Sequence, residues 1–98
     1  MSKEIYSEKF LERKLVEEVK KNKGWCLKLL CTHVIGLPDR MCLFSNAKII
    51  FAEIKTTGEK PRRSQELIHN KLRALGFAVY IVDNPEIIKK IIEYANRE

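Results

Sequence analysis

Two stretches of this chain have no polar face. Ile49-Ile50-Phe51-Ala52 and Phe77-Ala78-Val79-Tyr80-Ile81-Val82 are almost wholly apolar at odd and even positions alike, and in a strand those positions point to opposite sides. Strands of that kind need cover on both faces, which a sheet flanked by helices provides. Between them, Leu67, Ile68, Leu72 and Leu75 recur at helical spacing. Strand, helix, strand in that order predicts a parallel pair joined by a right-handed crossover. The remaining elements of the 98-residue chain must be arranged around that unit.

Upstream, Ser7 is placed to cap a helix over about residues 8–22, with Phe10, Leu11, Leu15 and Val19 on one stripe, lysines in its last turn and Gly24 to end it. Residues 25–30 read as a strand and 31–38 as a loop carrying Gly36 and Pro38. Residues 39–44 and 48–55 read as two more strands around a turn, Ser45-Asn46-Ala47. Ser64 is a natural N-cap for the helix that runs to about Leu75, where Gly76 closes it. Asp83 or Asn84 caps a last helix with Pro85 at its first position. The order α-β-β-β-α-β-α predicts an α/β fold, a mixed sheet flanked by helices, in a single domain over residues 1–98.

Hydrophobic residues make up 45% and charged residues 33% of the chain, the balance of a folded globular protein. Nineteen basic against 13 acidic side chains give a formal charge of +6. That favours a polyanionic partner, nucleic acid being the usual one, although a cationic solvated surface would give the same count. No stretch is long and apolar enough to cross a bilayer, and the charged start, MSKEIYSEKFLERK, lacks the apolar core of a signal peptide. An intracellular, cytoplasmic setting is therefore expected. Cys26, Cys31 and Cys42 fit reduced thiols there. A zinc set of Cys26, Cys31, His33 and Cys42 is disfavoured, because an extended strand would point Cys26 and Cys31 to opposite sides.

The hairpin carries the chemistry. A three-residue turn at 45–47 pairs Phe44 with Lys48, Leu43 with Ile49 and Met41 with Phe51, so Asp39 falls opposite Glu53 on one face. Lys55, two residues past Glu53, projects from the same face. A two-residue turn would slip the register and send Asp39 to the other side. Two carboxylates on neighbouring strands, with a lysine alongside, suit a hard divalent cation such as Mg²⁺ or Mn²⁺ held against a phosphate. Lys55 would then orient water or stabilise the pentavalent state. Pro38 would stiffen the approach to Asp39, and Gly36 would let the backbone pass close to a phosphate. A strand-end ion pair between Lys55 and one acid is the plainer alternative. Position favours the first reading, since the third strand is apolar until its end, where sites on open sheets collect.

Pro38-Asp39 followed by Glu53-Ile54-Lys55 is similar to the PD-(D/E)xK nuclease pattern. Together with Glu12, Gly36-Leu37-Pro38-Asp39-Arg40, Ala52-Glu53-Ile54-Lys55, Ser64-Gln65 and Leu75-Gly76-Phe77, it resembles a stand-alone VRR-NUC domain of the viral or bacterial type over about residues 8–83. The resemblance implies a restriction-endonuclease-like αβββαβ core and metal-dependent phosphodiester hydrolysis. It implies Asp39, Glu53 and the Ile54 carbonyl as metal ligands and Lys55 as the catalytic lysine. Gln65 would be an active-site helix residue, and Glu12 an acid contributed by the first helix. Small members of this kind resemble Holliday-junction resolvases acting as homodimers on branched DNA.

Further expectations concern the surroundings. Lys60, Arg62 and Arg63 form a basic loop for phosphate contacts. Lys28 is expected to face the site, and Arg40 to contact nucleic acid. His69, four residues past Gln65, is expected as a packing or supporting residue. Trp25 and Phe77 are expected in the core. The first helix and the apolar residues of the last are candidate dimer surfaces. Two alternatives stay open: a flap or single-strand nuclease without junction preference, and a non-catalytic nucleic-acid-binding module on the same fold.

Overall fold

The computed structural model of the protein describes residues 4–97. Helix α1 spans Glu8–Lys21 and is followed by strands β1 (Trp25–Lys28), β2 (Arg40–Phe44) and β3 (Lys48–Ile54). Helix α2 (Arg63–Ala74), strand β4 (Ala78–Val82) and helix α3 (Pro85–Ala95) complete the chain. The strands form one sheet in the order β1-β2-β3-β4. The first two neighbouring pairs are antiparallel and β3-β4 is parallel, as two wholly apolar strands around a helix require.

The turn sets the hairpin register. Ser45–Ala47 forms one 3-10 turn in which Asn46 and Ala47 adopt positive φ. Three turn residues bring Phe44 opposite Lys48, Met41 opposite Phe51 and Arg40 opposite Ala52. Even-numbered residues of β2, β3 and β4 (Cys42, Ile50, Ala52, Ile54, Val82) pack against Leu11, Leu15 and Val19 of α1 and Ile88, Ile91 and Ala95 of α3. Burying each of the large aliphatic side chains contributes about 1.5–3 kcal/mol. Odd-numbered residues face the other way, towards α2, and include Phe51, which meets Phe77 edge to face at 5.6 Å.

Several local expectations are corrected. Helix α1 is capped by Ser7, whose Oγ accepts from Phe10 N at 3.1 Å, but the left-handed residue at its end is Lys23, not Gly24. Gly24 is needed for space, since a Cβ there would sit 2.8 Å from Phe44 and Val19. Helix α2 starts at Arg63, one residue before Ser64. The Gln65 side chain takes the capping role, its Oε1 accepting from Arg62 N at 2.8 Å. The buried face of α2 is Gln65 and His69, while Leu67 and Leu75 are exposed. The apolar stripe is rotated away because polar groups are drawn to the sheet over Glu53.

Trp25 is 65% exposed, not core. It sits on the edge strand β1, and α2 packs against β4 at the opposite side of the sheet. The isoleucines of α3 are buried or half-buried. The large exposed apolar side chains are instead Ile5, Trp25, Leu30, Val34, Ile35, Leu67 and Leu75. The apolar residues of α3 are therefore not the exposed surface expected of them.

Candidate active site

Each residue of the site is delivered by the end of an element. Asp39 precedes β2, Glu53 is the penultimate residue of β3 and Lys55 follows that strand. Gln65 and His69 lie one turn apart on α2. The register, continued by one pair, puts Asp39 opposite Glu53, and the backbone shows how that end is tied. Leu29 N donates to Asp39 O at 2.9 Å, and Ile54 N donates to Asp39 Oδ2 at 2.8 Å. The Asp39 side chain thus replaces the missing β2 partner of Ile54. Because a residue's N–H and C=O face the same edge of a strand, the Ile54 carbonyl also lies on the Asp39 side.

Glu53 is buried, with 2% of its surface exposed. Gln65 Nε2 donates to its Oε2 at 3.0 Å, and Lys55 Nζ lies 3.7 Å from the same oxygen. His69 Nε2 is 3.6 Å from Oε1. Burial raises the Glu53 carboxyl to about 7. The nearby charge of Asp39 adds to the rise and Lys55 opposes it, with smaller contributions from an Asp39 hydrogen bond and Glu8. Burial also lowers the His69 imidazole, helped by Arg73 and Lys55. A buried carboxyl that resists ionisation beside a second carboxylate is a place where added positive charge is strongly favoured.

The donor set fits a hard divalent cation. Glu53 Oε1 is buried with no hydrogen-bond partner, and Asp39 and the Ile54 carbonyl offer further oxygens. No group of three or more His, Cys, Asp and Glu side chains suited to a metal occurs among the described residues. An ion held here would therefore take two carboxylates and a backbone oxygen from the protein, leaving room for water and substrate oxygens as Mg²⁺ prefers.

The loop before Asp39 is held by a close backbone contact. Gly36 has φ +98°, and a Cβ on it would lie 2.4 Å from the Ser64 carbonyl oxygen. The backbone that Gly36 approaches is therefore the start of α2, not a phosphate as the sequence suggested. Pro38 next to Asp39 is buried, so the approach to the acid is fixed from both sides.

The other expected residues are distributed differently. Arg40 Nε donates to Glu12 Oε2 at 2.9 Å, with both side chains largely buried, and Arg40 Nη1 reaches the Cys26 carbonyl. Glu12 and Arg40 thus satisfy each other on the α1 side of the sheet. Lys28 pairs with Arg40 and shares that face, away from Glu53. Lys60, Arg62 and Arg63 are exposed where the chain enters α2, on the same side as Gln65. Cys26 and Cys42 are direct cross-strand neighbours with sulfurs 3.7 Å apart, whereas Cys31 is exposed.

Sequence reasoning did not single out Glu8. This residue in the first turn of α1 adds the smallest of the contributions that raise the Glu53 carboxyl. Its only sequence signal is a position in the turn after the Ser7 cap. The spacing of His69 from Gln65 did mark it as a neighbour of the site, though not as a partner of Glu53 itself.

Comparison with known proteins adds to this geometry. The chain is 40% identical over 83 residues to a protein named "Putative nuclease p44" from Acyrthosiphon pisum secondary endosymbiont phage 1. The match covers 85% of this chain and 89% of that one. A solved structure described as "VRR_NUC domain" superposes with a TM-score of 0.83 at 24% identity, over 91% of this chain and 98% of the other. No family sequence model matches the chain.

Proposed function

Since the chain belongs to the VRR-NUC family of nuclease domains, we propose that it is an endonuclease that hydrolyses phosphodiester bonds of branched DNA with Mg²⁺ or Mn²⁺. The observation that carries this reading is the convergence at one sheet end of Asp39, a buried Glu53 with an unpartnered oxygen, and Lys55. A strand-end ion pair alone would not explain the burial of Glu53, since exposed pairs contribute little and buried acids are destabilising.

In this mechanism Asp39, Glu53 and the Ile54 carbonyl are the groups that would hold the ion. A bound divalent ion supplies positive charge that polarises the phosphodiester and offsets the charge developing in the transition state. Gln65 keeps Glu53 Oε2 in place through its 3.0 Å hydrogen bond. Lys55, half-buried beside the acid, orients the attacking water and donates to the phosphoryl oxygens. Lys60, Arg62 and Arg63 contact flanking phosphates, which sets affinity and its salt dependence and not sequence choice. The net charge of +6 supports the same polyanionic substrate.

Four-way junctions are the proposed preferred substrate and a homodimer the proposed active form, because a two-fold enzyme matches a two-fold substrate. Exposed Trp25, Leu67 and Leu75 give apolar surface that a second subunit could cover.

The test compares junction, flap, duplex and single-stranded DNA with wild-type protein and with Asp39→Ala and Lys55→Ala. Wild type should cut the junction fastest, EDTA should abolish cutting, and each variant should bind DNA while losing at least about 100-fold in rate. Equal rates on all four substrates would favour a nuclease without junction preference. Tight binding with no cutting by wild type in Mn²⁺ would favour a non-catalytic binding module.

A further inference from the structure

Two buried side-chain atoms among the described residues have no hydrogen-bond partner: Glu53 Oε1 and His69 Nε2. They face one another at 3.6 Å, in side chains only 2% and 1% exposed. A buried polar atom left unpartnered costs about 1–3 kcal/mol, and an apolar residue at position 69 would avoid that cost. Packing alone therefore does not account for a histidine here.

Helix α2 explains how the two atoms meet. Gln65 and His69 are four residues apart, on one face and one turn, and both are buried against the sheet. Gln65 Nε2 donates to Glu53 Oε2 at 3.0 Å. The helix thus presents one side-chain nitrogen to each oxygen of the same carboxyl group. His69 also borders a cavity of about 280 Å³ that Lys60, Asn70 and Arg73 line with it.

We propose that His69 is a positioning residue for the candidate metal site, its Nε2–H directed at one lone pair of Glu53 Oε1 as Gln65 is directed at Oε2, so that the carboxylate plane is fixed before a divalent cation arrives and the other lone pair of Oε1 stays open to it. This rests on the proposed reading of Glu53 as a metal ligand. Histidine does not touch the ion in this arrangement; it acts through Glu53. Partners of this outer kind hold ligands in the orientation the ion needs, and losing one typically lowers metal affinity about 10- to 100-fold.

The experiment is Mn²⁺ binding by titration calorimetry on the intact protein without DNA, at one pH, for wild type, Glu53→Gln, His69→Phe and His69→Gln. Urea unfolding of each metal-free protein is measured alongside. His69→Phe should raise the Mn²⁺ dissociation constant about tenfold or more, while its metal-free stability stays at or above wild type. His69→Gln, which returns an amide nitrogen near the lost Nε2, should recover most of the affinity. Should His69→Phe not fold, His69→Leu serves as the apolar variant. Wild-type Mn²⁺ affinity in the apolar variant, with affinity lost in Glu53→Gln, would overturn the positioning role and leave the metal site standing. Equal affinity in the apolar variant and His69→Gln, both below wild type, would also overturn it. Wild-type affinity in Glu53→Gln would remove the metal site itself.

Discussion

Replacing Glu53 with glutamine keeps the shape of a 2%-exposed side chain and removes its ability to ionise. In the folded protein the Glu53 carboxyl is raised from an ordinary 4.5 to about 7, first by burial and then by Asp39. That gap corresponds to about 3 kcal/mol. Below pH 4.5 the acid is protonated in folded and unfolded chains alike, so it carries no pH-dependent loss. As pH rises from 4.5 to 7 the unfolded chain ionises freely while the folded one resists. Metal-free wild type therefore loses stability between about pH 4.5 and 7, and above 7 this loss is complete. The glutamine variant has no such loss, so its advantage over wild type should grow across that window by about 3 kcal/mol, or about 12–24 °C in melting temperature for a domain of this size. Urea unfolding followed by circular dichroism in EDTA, from pH 4.5 to 8, measures the difference directly. Saturating Mn²⁺ at pH 8 should restore wild type and leave the variant unchanged, because an ion that binds only the folded state stabilises it. Parallel pH profiles for the two proteins, or a wild type that gains on the variant as pH rises, would refute the reasoning.

Two further substitutions test the scaffold around the site. Gly36→Ala, at φ +98° with a Cβ position 2.4 Å from the Ser64 oxygen, must displace either the Asp39 loop or the start of α2. It should lower the melting temperature and reduce cleavage together. Glu12→Ala leaves a largely buried Arg40 without its 2.9 Å partner and should cost about 1–3 kcal/mol in urea unfolding. Because Glu12 lies away from Glu53, the pH profile of that variant should keep the wild-type shape.

The parts of the fold legible in the sequence were those fixed by short-range patterns. A three-residue turn sets the hairpin register, so the facing of Asp39 and Glu53 followed from counting, and the observed pairs agree. The wholly apolar strands demanded a parallel pair joined through a helix, and β3-β4 is that pair, with β4 at the sheet edge. The cap Ser7 was readable, and that of α3 was narrowed to Asp83 or Asn84, of which Asn84 is the cap, because each bonds within its own helix turn. Features set by packing partners were not readable. Leu67 and Leu75 complete an apolar helical stripe as letters, yet Glu53 beneath α2 draws Gln65 and His69 inward and leaves the leucines outside. Trp25 reads as core until one sees that β1 is an edge strand. Gly24 was read for its backbone freedom, whereas its neighbours Val19 and Phe44 demand only its small size. Glu8 and Glu12 stand one turn apart on α1 and look alike in sequence. Only the fold shows that Arg40 occupies Glu12 while Glu8 adds a small part of the rise at Glu53.

The central claim is that Asp39, Glu53 and the Ile54 carbonyl together receive a divalent ion. Anomalous diffraction from crystals soaked in Mn²⁺ tests it most directly. The account predicts one strong peak within coordination distance of those three groups, with Lys55 beside it, and none there in Glu53→Gln crystals. A peak bound elsewhere on the molecule, with Asp39 and Glu53 left as they stand, would contradict it.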